Sequence, residues 1–300
     1  MAEVLSLRWR GRLLKSQRVD EEYVEPWWPL YALAAFFLFL PAIVVAKQRL
    51  MLPAPSAPTP EDIAATAWCR DNQPSRLRAA LVAWRAGICM WLSYVLVLHW
   101  LDRGSFFMMT TWTVLTLHIT ILYYALAVHV CLGWGGAMSA WACARLFEVC
   151  LTANTFTSLL FWGAITPMTL SSGDSARISW LFDFLSINEH VLPLALMLVE
   201  LGVSTLVVHR RHVYASVGYL FAYGLWIWAV YLLVEPHGWP YSFLQLHPVM
   251  MPIVYIAVPL LMYAIFDAHV AASQSRCRPS NTNGTTLRPS NTMGQPCLHY

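Results

Sequence analysis

Read from its N-terminus, the chain alternates between long apolar runs and short polar breaks. A helix crossing a hydrocarbon layer about 30 Å thick needs roughly 20 mainly apolar residues. Runs of this kind recur at 27–46, 84–101, 105–132, 144–166, 178–208, 214–234 and 249–268. The pattern predicts an all-α, polytopic membrane helix bundle of about seven spans. Its expected organisation is a polar basic N-terminal tail (1–26), an extra N-terminal span (27–46), a Pro-rich polar loop (47–82), a six-helix membrane core (83–268) and a disordered polar tail (269–300).

The breaks carry local information. Asp102-Arg103-Gly104 is so short that the helices on either side should be antiparallel neighbours. A Gly-rich stretch at 134–140 and a polar loop at 168–177 bound the fourth run. Asp183, Asn188, Glu189 and His190 interrupt the fifth, which predicts an interfacial turn followed by a span that closes at His209-Arg210-Arg211-His212.

Composition agrees with a lipid environment. Of 300 residues, 58% are hydrophobic and 12% charged, whereas soluble domains carry about a quarter charged residues. The 15 tryptophans suit membrane–water interfaces. A net charge of +3, with no basic stripe among stacking aromatics, argues against nucleic acid as a partner. The seven cysteines form no CxxC pair, so neither a disulfide framework nor a zinc site is expected. The first 26 residues are polar and basic, and no cleavage pattern follows the first apolar run, so no cleavable signal is expected.

Charge also sets an expected orientation. With seven spans, Lys47, Arg49, Arg70, Arg76, Arg78, Arg210, Arg211, Arg276, Arg278 and Arg288 share one side, and only Arg103 and Arg177 lie in the loops opposite. The positive-inside rule makes the first side cytoplasmic, although Arg8, Arg10, Arg12, Lys15 and Arg18 of the N-terminal tail then fall outside. Which membrane is crossed, endomembrane or plasma membrane, stays open.

Ionisable and hydroxyl groups at membrane depth invite a functional reading. The third run holds Thr110, Thr111, Thr113, Thr116 and His118. Any single threonine there can simply bond back to its own helix. His190 stands beside Asn188 and Glu189, with Pro193 three residues on to free a backbone carbonyl nearby. An interfacial histidine is the plainer reading, and His99, His118 and His129 are rivals. Haem is disfavoured, since His118 and His129 lie about 16 Å apart on one helix. Thr110 would lie about 9 Å along the third run, counted from Gly104. His190 would lie about 10 Å along the fifth, counted from Asp183. Both runs enter from the same side, so the two can share a plane. A hydroxyl and an imidazole at one depth are the minimum for nucleophilic acyl transfer. Asp183, Asn188 and Glu189 are the candidates for orienting the base. His237, Trp239 and Tyr241, in the turn at 235–248, could roof the site.

From about residue 101 to 268 the chain resembles the androgen-inducible membrane hydrolases and the related rolling-stone-like proteins. The resemblance rests on Gly104-Ser105-Phe106 followed by Thr110, on NEHVLPLALMLVE (188–200), on SVGYLFAYGLWIWAVY (216–231) and on GWPYSFLQL (238–246). It implies six-span membrane enzymes that hydrolyse fatty acid esters of hydroxy fatty acids with a threonine nucleophile and a histidine base. Those roles fall on Thr110, or its neighbour Thr111, and on His190. The hydrolase branch has an Asn-His-x-x-His pattern before Val-Leu-Pro, and here only His190 remains. The expected partners are membrane lipid and a lipid-soluble ester, with no cofactor and no metal. The alternative is a non-enzymatic multi-span scaffold of the rolling-stone type. A transporter is a further alternative, though no inverted repeat is visible.

Overall fold

The computed structural model describes residues 75–134, 136–204, 206–233 and 250–275. The expected span at 27–46, most of the Pro-rich loop, the roof residues His237, Trp239 and Tyr241, and the tail beyond Ser275 lie outside the described residues. Within them 90% of residues are helical and none lies in a strand. Five stretches are long and apolar enough to cross a membrane: Ala79–Asp102, Trp112–Cys131, Ala137–Ser171, Phe184–Val203 and Ile256–Ser275. These are the features of an integral, multi-pass helical membrane protein.

In chain order the helices are α1 (Ser75–Thr110), α2 (Trp112–Cys131), α3 (Ala137–Leu160), α4 (Thr166–Ser171), α5 (Ser175–Leu181), α6 (Phe184–His190), α7 (Leu192–Val203), α8 (Val213–Leu233) and α9 (Met250–Ser275). A π-turn, Phe161–Ile165, joins α3 to α4, and a 3-10 turn, Arg210–His212, leads into α8. The 21 residues of α8 include no charged side chain and take the place of the sixth expected span.

Helix α3 is the hub, packed against α2, α6, α7, α8 and α9. Its buried positions are rich in small residues (Ala140, Cys143, Ala144, Cys150, Ala153, Ser158), which let neighbouring backbones approach where no water-driven force holds helices together. Helix α1 is peripheral. It buries Arg85, Ile88, Leu92, Val95 and His99, a 3-4-3-4 spacing that gives the narrow seam of a helix with one packed side. Helix α2 ends in a Schellman motif at Gly133, whose φ of 79° only glycine adopts without strain. There Trp134 N–H donates to His129 O at 3.2 Å and Gly133 N–H to Val130 O at 3.0 Å.

Three features differ from the sequence reading. The turn expected at Asp102-Arg103-Gly104 is absent: α1 continues through it to Thr110, and the chain breaks only at Thr111, with φ −86° and ψ 135°. A glycine inside a helix costs only about 1 kcal/mol, so Gly104 is a weak stop signal. The fifth span ends at Val203 rather than near 208, and Ser204 and His209 are extended. Helix α9 runs on to Ser275, past the expected start of the tail.

Candidate functional site

Helix α6 positions the histidine. Asp183 caps it, with an extended backbone and a carboxylate accepting the Ser186 N–H at 2.6 Å. Seven residues later the helix ends, because Pro193 lacks the N–H that would continue the ladder. Its last three residues, Asn188, Glu189 and His190, point in directions about 100° apart. All three are nevertheless buried, since α6 packs against α1, α2 and α3.

Each of the three meets a different neighbour. Asn188 Oδ1 accepts from the Trp91 indole of α1 at 2.9 Å, and its amide donates to Phe184 O at 2.8 Å. Glu189 Oε1 lies 2.8 Å from His99 Nε2, within ion-pair distance. His190 Nδ1 lies 2.8 Å from Ser186 O. A carbonyl only accepts, so Nδ1 carries the proton and, in the neutral ring, Nε2 is the nitrogen able to take one. The Phe161 ring, first residue of the π-turn, stacks on the imidazole with centroids 3.6 Å apart and planes 17° apart. The Ser158 hydroxyl donates to the His190 carbonyl, satisfying the backbone next to the proline break.

Thr110 is buried at the end of α1, and its carbonyl accepts from the Tyr223 hydroxyl at 3.1 Å. It closes a helix instead of lying a third of the way along the next span. Thr111 is buried at the N-cap of α2, yet its hydroxyl caps no N–H of the first turn. At the next residue, the Trp112 indole donates to Thr157 Oγ1 of α3 at 2.9 Å and packs against Phe156, Tyr219 and Tyr223. Adjacent residues of α3 therefore hold the two halves of the region, Thr157 the start of α2 and Ser158 the end of α6. This brings the Thr110–Trp112 segment and His190 to one level of the bundle.

The other histidines have different surroundings. His118 Nδ1 bonds back to Val114 O at 2.8 Å within its own helix. His129 lies at the opposite end of α2 beside Trp134. Among the described residues, no three His, Cys, Asp or Glu side chains gather so as to hold a metal ion.

Three features escaped the sequence reading. The Ser186 carbonyl, which the sequence reading did not name beside Asp183, Asn188 and Glu189, holds His190 Nδ1. Arg85 forms a buried pair with Glu200, Nε at 3.1 Å and Nη2 at 2.7 Å from Oε1. Glu148 is buried in mid-α3, where Oε1 accepts from the His209 N–H at 3.1 Å and meets His212 Nδ1 at 3.0 Å, while Oε2 accepts from Arg145 at 2.7 Å. The available signal was a charge inside an apolar run, at 85, 148 and 200, each of which needs a partner at that depth. Comparison with protein-family models, curated proteins and solved structures finds no match.

Proposed function

We propose that the chain is an intramembrane hydrolase of fatty acyl esters, of the hydroxy fatty acid ester type, with kinship to the androgen-inducible membrane hydrolases. Thr110 is the nucleophile and His190 the general base. The observation that carries the reading is the His190 tautomer: a buried imidazole with Nδ1–H fixed on the Ser186 carbonyl, level with a buried threonine pair. His190 Nε2 takes the hydroxyl proton as Thr110 Oγ attacks the ester carbonyl. The imidazolium then returns that proton to the departing alkoxide, leaving an acyl-threonine that water hydrolyses by the same route. The Ser186 carbonyl and the face of Phe161 both favour the transient positive ring. A substrate held at this depth is lipid-soluble and reaches the bundle from the side.

A fluorophosphonate probe, which captures activated hydroxyls, should label the purified protein at Thr110. Labelling at Thr111 would move the nucleophile by one residue. A folded protein that is not labelled at all would remove the enzyme reading.

One observation favours the scaffold reading instead: Asn188 and the His190 carbonyl both make hydrogen bonds that join helices. On that reading Thr110 and His190 contribute to stability and to nothing else.

The proposal includes seven spans, with the loop at 47–81 and the tail after Ala268 cytoplasmic. The chain order supports that orientation: Arg145 lies in the first half of α3 and Arg210 and Arg211 precede α8, whereas Arg177 follows α3. Protease protection should find the tail accessible from the cytoplasmic side. Glycosylation of Asn283 in the native protein would reverse the orientation.

A further inference from the structure

A basic cluster sits at the end of the bundle opposite His190, where α7 gives way to α8. The 21 residues of α8 span about 31 Å, close to one hydrocarbon thickness, and on the seven-span reading proposed above its first residue, Val213, lies at one membrane surface. At that level Glu148 is the only carboxylate among the described residues placed against Arg145, His209 and His212. Arg145 also lies over the Trp141 ring, 5.9 Å from its centroid, and its buried Nε has no hydrogen-bond partner among the described residues. Arg211 is half-buried and has neither an ion pair nor a hydrogen bond among the described residues. Its neighbour Arg210 differs: exposed, it is held by Asp267 at 2.6 Å.

Among the described residues the charges do not balance. Two guanidinium groups, Arg145 and Arg211, face a single carboxylate whose two oxygens are already engaged. His209 registers the excess: burial first, then Arg211 and Arg145, hold its imidazole down to about 4, so it is neutral near pH 7. The positive end of the α8 dipole adds to the field at this point.

We propose that this cluster binds the phosphate of an anionic phospholipid headgroup, with Arg211 and the Nε edge of Arg145 as donors and Trp141 at the level of the glycerol. The cluster lies where a headgroup lies, and a phosphate would supply the charge it lacks. Basic pockets between spans at the cytoplasmic surface recognise such headgroups by this chemistry. The site is independent of Thr110 and His190.

The test titrates the full chain in neutral detergent with dioctanoyl phosphatidic acid, dioctanoyl phosphatidylcholine and inorganic phosphate, reading the melting temperature. Phosphatidic acid should raise it saturably and phosphatidylcholine should not. Arg211→Gln, which removes a side chain without an ion pair, should weaken phosphatidic acid binding about tenfold with the lipid-free melting temperature unchanged, since a charge-assisted bond is lost. Arg210→Gln, one residue away, should leave binding within about twofold, because that guanidinium belongs to Asp267. Equal losses in the two variants would mean diffuse surface charge and overturn the site. An equal response to phosphatidylcholine would overturn it too. Full stabilisation by inorganic phosphate alone would make it a free-anion site and overturn the lipid assignment.

Discussion

Thr110→Ala and His190→Ala are each expected to bring hydrolysis of long-chain hydroxy fatty acid esters to background, with expression and membrane insertion close to normal. The loss should be at least about 1,000-fold, and the double variant should be no worse than either single one, because members of one catalytic unit are not additive. Thr110 contributes a hydroxyl at a helix end, so its removal exposes no buried charge and should cost the fold little. His190 holds the Ser186 carbonyl and stacks on Phe161, so His190→Gln is the better control for folding. It keeps an amide that can donate to the Ser186 carbonyl but has no nitrogen of suitable basicity. If it melts like the parent and lacks activity, the histidine serves as a base. If Thr110→Ala is silent and Thr111→Ala inactivates, the nucleophile moves by one residue. Unaltered hydrolysis in all of these variants, or none in the parent chain on any such ester, leaves the scaffold.

The positions of the helices were legible because lipid imposes one rule, about 20 apolar residues per crossing, and the runs at 84–101, 105–132 and 249–268 obey it. The ends were not. Gly104 reads as a stop, yet α1 runs through it, because a glycine inside a helix costs only about 1 kcal/mol. The result moves Thr110 from inside an expected span to the end of a helix. The fifth run was read through to Val208 because its apolar pattern does not fall off there. The structure breaks it at Val203, and the extended segment keeps Leu206 and Val208 buried. Non-helical backbone survives at that depth only where protein supplies its partners, which here are Glu148 to the His209 N–H and Ser273 to the Val208 N–H at 3.1 Å.

The site was half legible. A histidine beside a proline is visible in a string of letters, whereas a carbonyl that orients it, or a phenylalanine that stacks on it, depends on which helix arrives next to it. Sequence proximity pointed to Asp183, Asn188 and Glu189 as orienting groups. Helical geometry gives the role to the residue four positions back, Ser186, through its backbone, which no choice of side chain announces. Glu189 turns toward α1 and His99 instead, because successive residues on a helix cannot share a direction.

Glu200→Ala should be the most destabilising single change among the described residues. Helix α1 is held to the bundle by its one narrow seam, and the Arg85–Glu200 pair sits at the N-terminal end of that seam, 1% and 0% exposed. Forming such a pair gains little over an apolar contact, because both ions lose their hydration. Removing one partner is different, since it leaves a guanidinium buried with Cys131 Sγ at 2.8 Å as a far poorer acceptor. The expected cost is about 3–5 kcal/mol. It should show as a fall of about 10 °C or more in the melting temperature and as faster hydrogen exchange along α1. Glu200→Gln retains an acceptor but not the charge and should fall between Ala and the parent. Arg85→Met combined with Glu200→Leu removes both charges, fills most of the volume and should melt within a few degrees of the parent. Because each single change strands a charge and the double change strands none, the two should be strongly non-additive. Additive losses, with the double variant worse than either, would mean that the two residues act separately and that α1 is anchored by its apolar seam alone.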